Sequence, residues 1–296
     1  MRVTNKMISQ NLLHTISKNR ELAAELQQDI ASTKKLRRPS DDPSGVLQLE
    51  RFKTLQARNE QYLRNVSHIG GFLEQSASAL DAIGNTLDQA RQTALQGGSD
   101  TLSSDARSGL AANIDKLMDT MVDLANSKFK DKFIFGGTRN TTAPFSRAGD
   151  VVSYAGNDND LRGKIGVESE LVYNKSGVDV FKAAGGVDIF AALADLKAGL
   201  EANDTNAIRT AGAALDNAQR QIINLSAETG VLQNRMTLTE QTLENENVNL
   251  SAFISKIQDT DLAEAIVNYQ TLETAITAGL RTTADVIQTS LVDFIT

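Results

Sequence analysis

Two adjacent carboxylates, Asp41 and Asp42, lie between two of the chain's three prolines in the stretch RRPSDDPSG at 37–45. A working acid–base pair needs two carboxyl groups aimed at one point from different environments, which sequence neighbours achieve only in a tight loop. A cation site needs further oxygen ligands. Helix punctuation needs less. Pro39 would end one helix, Ser40 or Asp41 would cap the next, and Pro43 would occupy an early position where its missing N–H costs nothing. Arg37 and Arg38 then meet the negative end of the first helix dipole, and the two acids meet the positive end of the second. Capping is the reading these residues favour over catalysis.

Other chemistry is thin. His14 and His68 are the only histidines and lack a partner at metal-ligand spacing. The run DNDLRGKIGVES starts like a calcium loop at Asp158 and Asp160. It has Arg162 at the fifth place and Ser169 where a bidentate Glu belongs. No cysteine is present, which removes thiol catalysis, thiolate metal sites and disulfides. There is no phosphate-binding loop, nucleophile elbow or dinucleotide fingerprint. The residues give no reason to expect an enzyme, a cofactor or a metal.

The net charge of −7 gives no global basic field, so no nucleic-acid partner is expected. The charge is uneven, however. Residues 1–38 hold eight basic and three acidic side chains, whereas residues 259–296 hold six acidic and one basic. The two ends are electrostatic complements, within a chain or between copies. No run is apolar and long enough for a secretory signal core or a membrane span. The expectation is a protein that is cytoplasmic or exported without a cleaved signal, with no membrane partner.

The elements that position these residues are helical. Steps of three and four from Val66 land on Ile69, Leu73, Ser76, Leu80, Ile83, Leu87, Ala90 and Ala94, the seam of a helix packed at a shallow angle. Leu110, Ile114, Leu117, Met121 and Leu124 continue the pattern after a break at 96–105. From Leu215 to Ile257 the same stepping marks a helix of roughly 50 residues, about 75 Å long. Asp259 and Thr260 then offer an N-cap for a last helix with the seam Leu262, Ile266, Tyr269, Ile276, Leu280, Ile287 and Phe294. The first 35 residues carry Ile8, Leu12, Ile16, Ala23, Leu26 and Ile30. These two terminal helices have no obvious groove in their own chain; they either pair with each other or with other copies. Between about 130 and 187 the pattern turns strand-like, with Leu161, Ile165, Val167, Leu171 and Tyr173 alternating.

The predicted fold is mainly α with a small β-rich inserted domain: a long antiparallel helical rod or coiled-coil bundle whose terminal helices assemble between subunits. Its segments are an N-terminal assembly helix (1–38), a first rod half (39–129), the β-rich domain (130–187), a second rod half (188–258) and a C-terminal assembly helix (259–296).

Several ordered motifs carry a family likeness. MRVTNKMISQNLL at the start, RRPSDDPSGV at 37–46, KDKFIFGGTRNTTAPF at 130–145, LSAFISKIQDTDLAEAI at 250–266 and TSLVDFI at the end resemble the flagellin superfamily. The FIFGGT…PF entry and the SLVDFI ending are more similar to its hook–filament junction family, hook-associated protein 3, than to filament flagellins. The resemblance implies a structural adapter of the bacterial flagellum, exported by the flagellar type III apparatus without a cleaved signal and folding its termini on assembly. It implies a ring of copies, with hook-associated protein 1 below, flagellin or the filament cap above, and an export chaperone on the C-terminal helix at Leu262, Ile266, Tyr269, Leu280 and Ile287. The interface residues it points to are Ile8, Leu12, Ile16, Leu26, Ile30, Arg37, Arg38, Asp41, Asp42, Leu262, Ile266, Ile276, Leu280, Ile287 and Phe294. The alternatives are a filament-forming flagellin and a secreted adhesion or effector protein acting through the β domain.

Overall fold

Steps of three and four place one stripe down each helix, and in the computed structural model the stripes at 66–94 and 110–124 and much of the one from 215 to 257 become core. The structure describes residues 5–182 and 186–295; the side chains of residues 5, 6, 8, 9 and 285–295 lie outside the description. The helices are α1 (Asn5–Ser32), α2 (Pro43–Gly97), α3 (Ser104–Ala125), α4 (Gly177–Phe181), α5 (Ile189–Glu201), α6 (Thr205–Gln258) and α7 (Leu262–Ile295). Three antiparallel hairpins lie between α3 and α4: β1 (Lys128–Phe129) with β2 (Lys132–Phe133), β3 (Phe145–Ala148) with β4 (Val151–Tyr154), and β5 (Arg162–Lys164) with β6 (Glu170–Val172). The expected class, mainly α with a small β-rich insertion, is the one observed. The chain divides into two compact units, 1–57 with 247–296, and 58–246, and the hairpins belong to the second.

In the second unit all nine seam positions from Val66 to Ala94 are buried. Ser76 is tolerated there because its hydroxyl donates to the Phe72 carbonyl at 2.8 Å, satisfying the polar group within its own helix. α6 runs antiparallel to α2, as the Asp81–Ser226 and Asn59–Glu246 side-chain bonds require. It buries Leu215, Ala218, Ile222, Thr229, Met236 and Leu243. Where α2 ends, the buried Arg107 donates to the carbonyls of Gly97 at 2.9 Å and Ser99 at 2.7 Å, satisfying acceptors that a helix end leaves without partners.

The insertion is anchored by aromatic packing. The Phe145 ring lies 4.9 Å from both Tyr154 and Phe181 and 5.6 Å from Phe190, joining β3 and β4 to α4 and α5. Asn126 clamps Phe145 by accepting from its N–H and donating to its carbonyl, both at 3.0 Å. Gly137 takes a left-handed φ of +63°, and a Cβ there would fall 2.2 Å from the Asn157 carbonyl oxygen, so this turn admits only glycine. Arg147 pairs with Asp115 and Asp119 of α3, and Lys197 of α5 bridges Asp115 at 2.9 Å and Asp150 at 2.6 Å. The alternating stretch 161–173 is a hairpin: Ile165 and Leu171 are buried, and Val167 is exposed at its turn.

Ile83 is fully buried in this core. Its replacement by Ala should destabilise the second unit by about 3 kcal/mol, measured by urea unfolding. Val231→Ala, on an exposed position of α6, should change stability by less than about 0.5 kcal/mol.

Candidate functional site

The terminal unit is built where both ends of the chain meet. α1 stops at Ser32, seven residues before Pro39, because Thr33 turns left-handed at φ 59°. A β-branched residue takes that conformation only when its surroundings impose it. Here the backbone pairs across the chain. Thr260 N–H donates to the Thr33 carbonyl at 3.0 Å, Lys35 N–H donates to the Gln258 carbonyl at 2.8 Å, and Lys34 and Asp259 form an antiparallel bridge. Lys35 Nζ reaches the Lys256 carbonyl at 3.1 Å.

The two acids of the opening motif have separate tasks. Asp41 Oδ2 accepts from the backbone N–H of Arg38 at 2.9 Å and of Arg37 at 3.3 Å, tying the loop before α2. Asp42, not Ser40 or Asp41, caps α2, its Oδ1 accepting from the Ser44 N–H at 3.0 Å and hydroxyl at 2.8 Å. The Arg38 N–H holds the Asp41 carboxyl below its ordinary value of 3.8, and the Gly45 N–H and Ser44 hydroxyl do the same for Asp42. Each acid is directed at backbone on its own side, so the pair converges on no common point. The cap of α7 also differs from the expectation. Asp261 Oδ1 accepts from the N–H groups of Ala263 at 3.0 Å and Glu264 at 3.2 Å, whereas Asp259 takes the Ser255 hydroxyl at 2.6 Å.

Of the two arginines, Arg37 lies 2.8 Å from Asp29 Oδ1, a contact off the hydrogen-bond direction, and donates to Gln28 at 2.5 Å. Arg38 is exposed.

α1 and α7 pack against each other within the chain, antiparallel, as the Thr33–Thr260 bond and the approach of Gly279 to Ile16 together require. On α1 the stripe is as expected: Ile16 and Ala23 are buried, and Leu12, Leu26 and Ile30 are half-buried. On α7 the packed seam is Ala265, Tyr269, Leu272, Ile276, Gly279 and Thr283. Tyr269 and Ile276 belong to it, but Leu262, Ile266 and Leu280 are 41%, 43% and 43% exposed on another face. Sequence reasoning missed Ala265, Gly279 and Thr283, although strict stepping by three and four from Ala265 reaches them. Ile8, Ile287 and Phe294 lie outside the described side chains.

The remaining candidates do not converge. His14 is exposed; His68 sits 5.5 Å from the Phe129 ring, where burial, then Lys130 and Lys132, push its pKa down. Arg162 pairs with Asp160 at 3.0 Å in place of a cation. Among the described residues no group of acids and histidines is placed to hold a metal ion, and no helix is long and apolar enough to cross a membrane.

Two family models match along the chain: the bacterial flagellin N-terminal helical region over residues 3–140 and the C-terminal helical region over 213–295. The chain belongs to the bacterial flagellin family. Among curated relatives of this flagellin-family chain, hook-associated protein 3 of Salmonella typhimurium is 22% identical over 314 residues, covering 98% of both chains. The flagellin of Listeria monocytogenes is 23% identical over 270 residues, covering 89% of this chain and 88% of that one. A solved flagellar hook-associated protein of Vibrio parahaemolyticus shares the fold, with a TM-score of 0.68 at 19% identity over 74% of this chain and all of that one.

Two outcomes follow for the joint of the flagellin-family chain. A Cβ on Gly45 would lie 2.5 Å from Asp42 Oδ2 and 3.0 Å from Leu36 Cδ1. Gly45→Ala should therefore loosen the joint, read as faster proteolysis within 33–44, although Ala is ordinarily the better helix former by about 1 kcal/mol. Because both carboxyls titrate lower when folded, their stabilisation is complete above the ordinary carboxylate range and is lost as pH falls through it and below. Cleavage within 33–44 should accelerate as the pH drops below about 4, and Asp42→Asn should flatten that dependence.

Proposed function

We propose that this chain is a non-enzymatic structural subunit that joins a flagellar hook to its filament. The observation that carries the reading is the alignment with hook-associated protein 3 over 98% of both chains, which includes both terminal helices and the hairpin insertion. The geometry supports an assembly role. With α1 and α7 already paired, Leu13 and Leu22 on one helix and Leu262, Ile266, Val267 and Leu280 on the other stay exposed, a density of surface apolar groups that marks a protein contact.

In this reading copies form a ring between hook-associated protein 1 and flagellin or the filament cap, outside the cell, after export by the flagellar type III apparatus without a cleaved signal. The export chaperone takes the α7 face of Leu262, Ile266 and Leu280; Tyr269, on the packed seam, becomes available to it only when α7 leaves α1. The interface comprises that face with Arg37, Arg38, Asp41 and Asp42 at the joint.

Deleting the gene should leave hooks without filaments while flagellin accumulates in the medium. Normal filaments on the deletion strain would exclude the junction role. A filament-forming flagellin is the second reading, favoured by the match to the Listeria flagellin. It predicts instead a deletion strain in which no flagellin accumulates in the medium.

A further inference from the structure

The buried seam between α2 and α6 is interrupted at one level. On the Gly97 side, Phe72, Leu80 and Ile83 of α2 and Leu215 and Ile222 of α6 share an apolar core with α3, α5 and the β3–β4 hairpin. On the other side Val66, Ile69 and Leu73 pack with Met236 and Leu243 of α6 and with Ile165 and Leu171 of the β5–β6 hairpin. The seam positions between the two cores are Ser76 and Thr229, both buried. The Asp81–Ser226 and Asn59–Glu246 bonds set a register that places them opposite each other. Each hydroxyl donates at 2.8 Å to a carbonyl one turn back in its own helix, Phe72 for Ser76 and Leu225 for Thr229. Its single proton is then used, so nothing is donated across the seam, and back-bonding of this kind favours a bend. Thr86 and Thr93 bond back in the same way, but they lie beside a seam that stays apolar at Ile83, Leu87 and Ala90.

Glycines weaken the same level. Gly70 and Gly230 lie inside the two longest helices, where glycine is the poorest helix former after proline. A Cβ on either would meet nothing within 4 Å, so packing within the chain requires neither. Gly71 differs, since its Cβ would lie 3.1 Å from the Phe129 ring. The two long helices of the rod thus share a stretch where the core between them is polar and each backbone is intrinsically soft.

We propose that the α2–α6 pair bends at this waist, over 70–76 on α2 and 229–236 on α6, and that the bend moves the two larger hairpins relative to each other. β3–β4 is fixed to the first core through Phe145 and Val152. β5–β6 is fixed to the second through Ile165 and Leu171, and Asn65 of α2 donates to its Lys164 carbonyl at 2.7 Å. Tyr173 packs against both cores, its ring edge-on to Phe72 at 5.1 Å, and so sits at the pivot. A small change of angle in the rod therefore becomes a change of spacing between β3–β4 and β5–β6. The bend needs no partner and holds under either reading of the assembly.

The chain has no cysteine, so pairs of spin labels can be placed on the full-length protein. Arg58→Cys with Leu95→Cys spans the waist along α2, and Val151→Cys with Val167→Cys joins the two hairpins; all four positions are exposed. Distance distributions from pulsed electron spin resonance should be broad for both pairs. Gly70→Ala with Gly230→Ala should narrow both, and should slow amide exchange at 70–76 and 229–236 about fivefold per replacement. Gly109→Ala, at an equally open position on α3 away from the waist, should leave both distributions unchanged. A distribution along α2 that is no broader in the unmutated background than in the double alanine variant overturns the waist, and so does narrowing by Gly109→Ala. Narrowing along α2 without narrowing between the hairpins overturns their coupling to the bend.

Discussion

The short backbone pairing of residues 33–35 with 258–260 is the constraint on which the terminal unit depends. It fixes where α1 ends, since the Thr33 carbonyl must face the Thr260 N–H, and it holds Thr33 in a conformation that a β-branched residue does not adopt unaided. It also sets the start of α7 three residues beyond the bridge, with Asp261 as its cap. Once the two chain ends are joined there, the antiparallel course of α1 and α7 brings Gly279 onto Ile16, and the remaining seam contacts follow at helical spacing. Asp41 and Asp42 serve the same arrangement from the α2 side, one tying the loop and one capping the helix.

How much of this was legible depended on what each seam is made of. In α2 the packed stripe is also strongly apolar, so every position reached by stepping three and four from Val66 is buried, and even Ser76 fits because it bonds within its own helix; Phe72, Ala79, Thr86 and Thr93 widen the buried face beside it. In α7 the relation is mixed. The packed seam combines Tyr269, Leu272 and Ile276 with the small Ala265, Gly279 and Thr283, whereas Leu262, Ile266 and Leu280 remain outside. A pattern read by hydrophobicity takes Tyr269 and Ile276 from the first face and Leu262, Ile266 and Leu280 from the second, and passes over the small members of the first. The joint failed for another reason. Pro39 is a strong local stop signal, but the cross-chain hydrogen bonds end α1 earlier, and no local pattern in 33–36 announces a partner more than two hundred residues away. The caps were misassigned by one or two positions, within the tolerance of any helix boundary drawn from side-chain type alone.

The two units differ in what holds them, and that difference bears on function. The second unit buries large side chains such as Ile83, Leu87, Met118, Phe145 and Phe181, each of which removes enough apolar surface from water to contribute roughly 1.5–3 kcal/mol. The α1–α7 seam fully buries only Ile16, Ala23, Ala265 and Thr283 among its described residues. Small residues allow close packing but bury little area, so this pairing is the weaker of the two. Helices of this kind gain most of their stability from whatever covers their remaining apolar face. The exposed leucines and isoleucine of α1 and α7 are therefore where added stability can come from, since a partner that binds only the paired form stabilises it by mass action in proportion to the logarithm of its concentration over its dissociation constant. In the proposed assembly, covering Leu262, Ile266 and Leu280 would add to a seam that buries little by itself, and so would link the order of the terminal unit to assembly without any chemical switch.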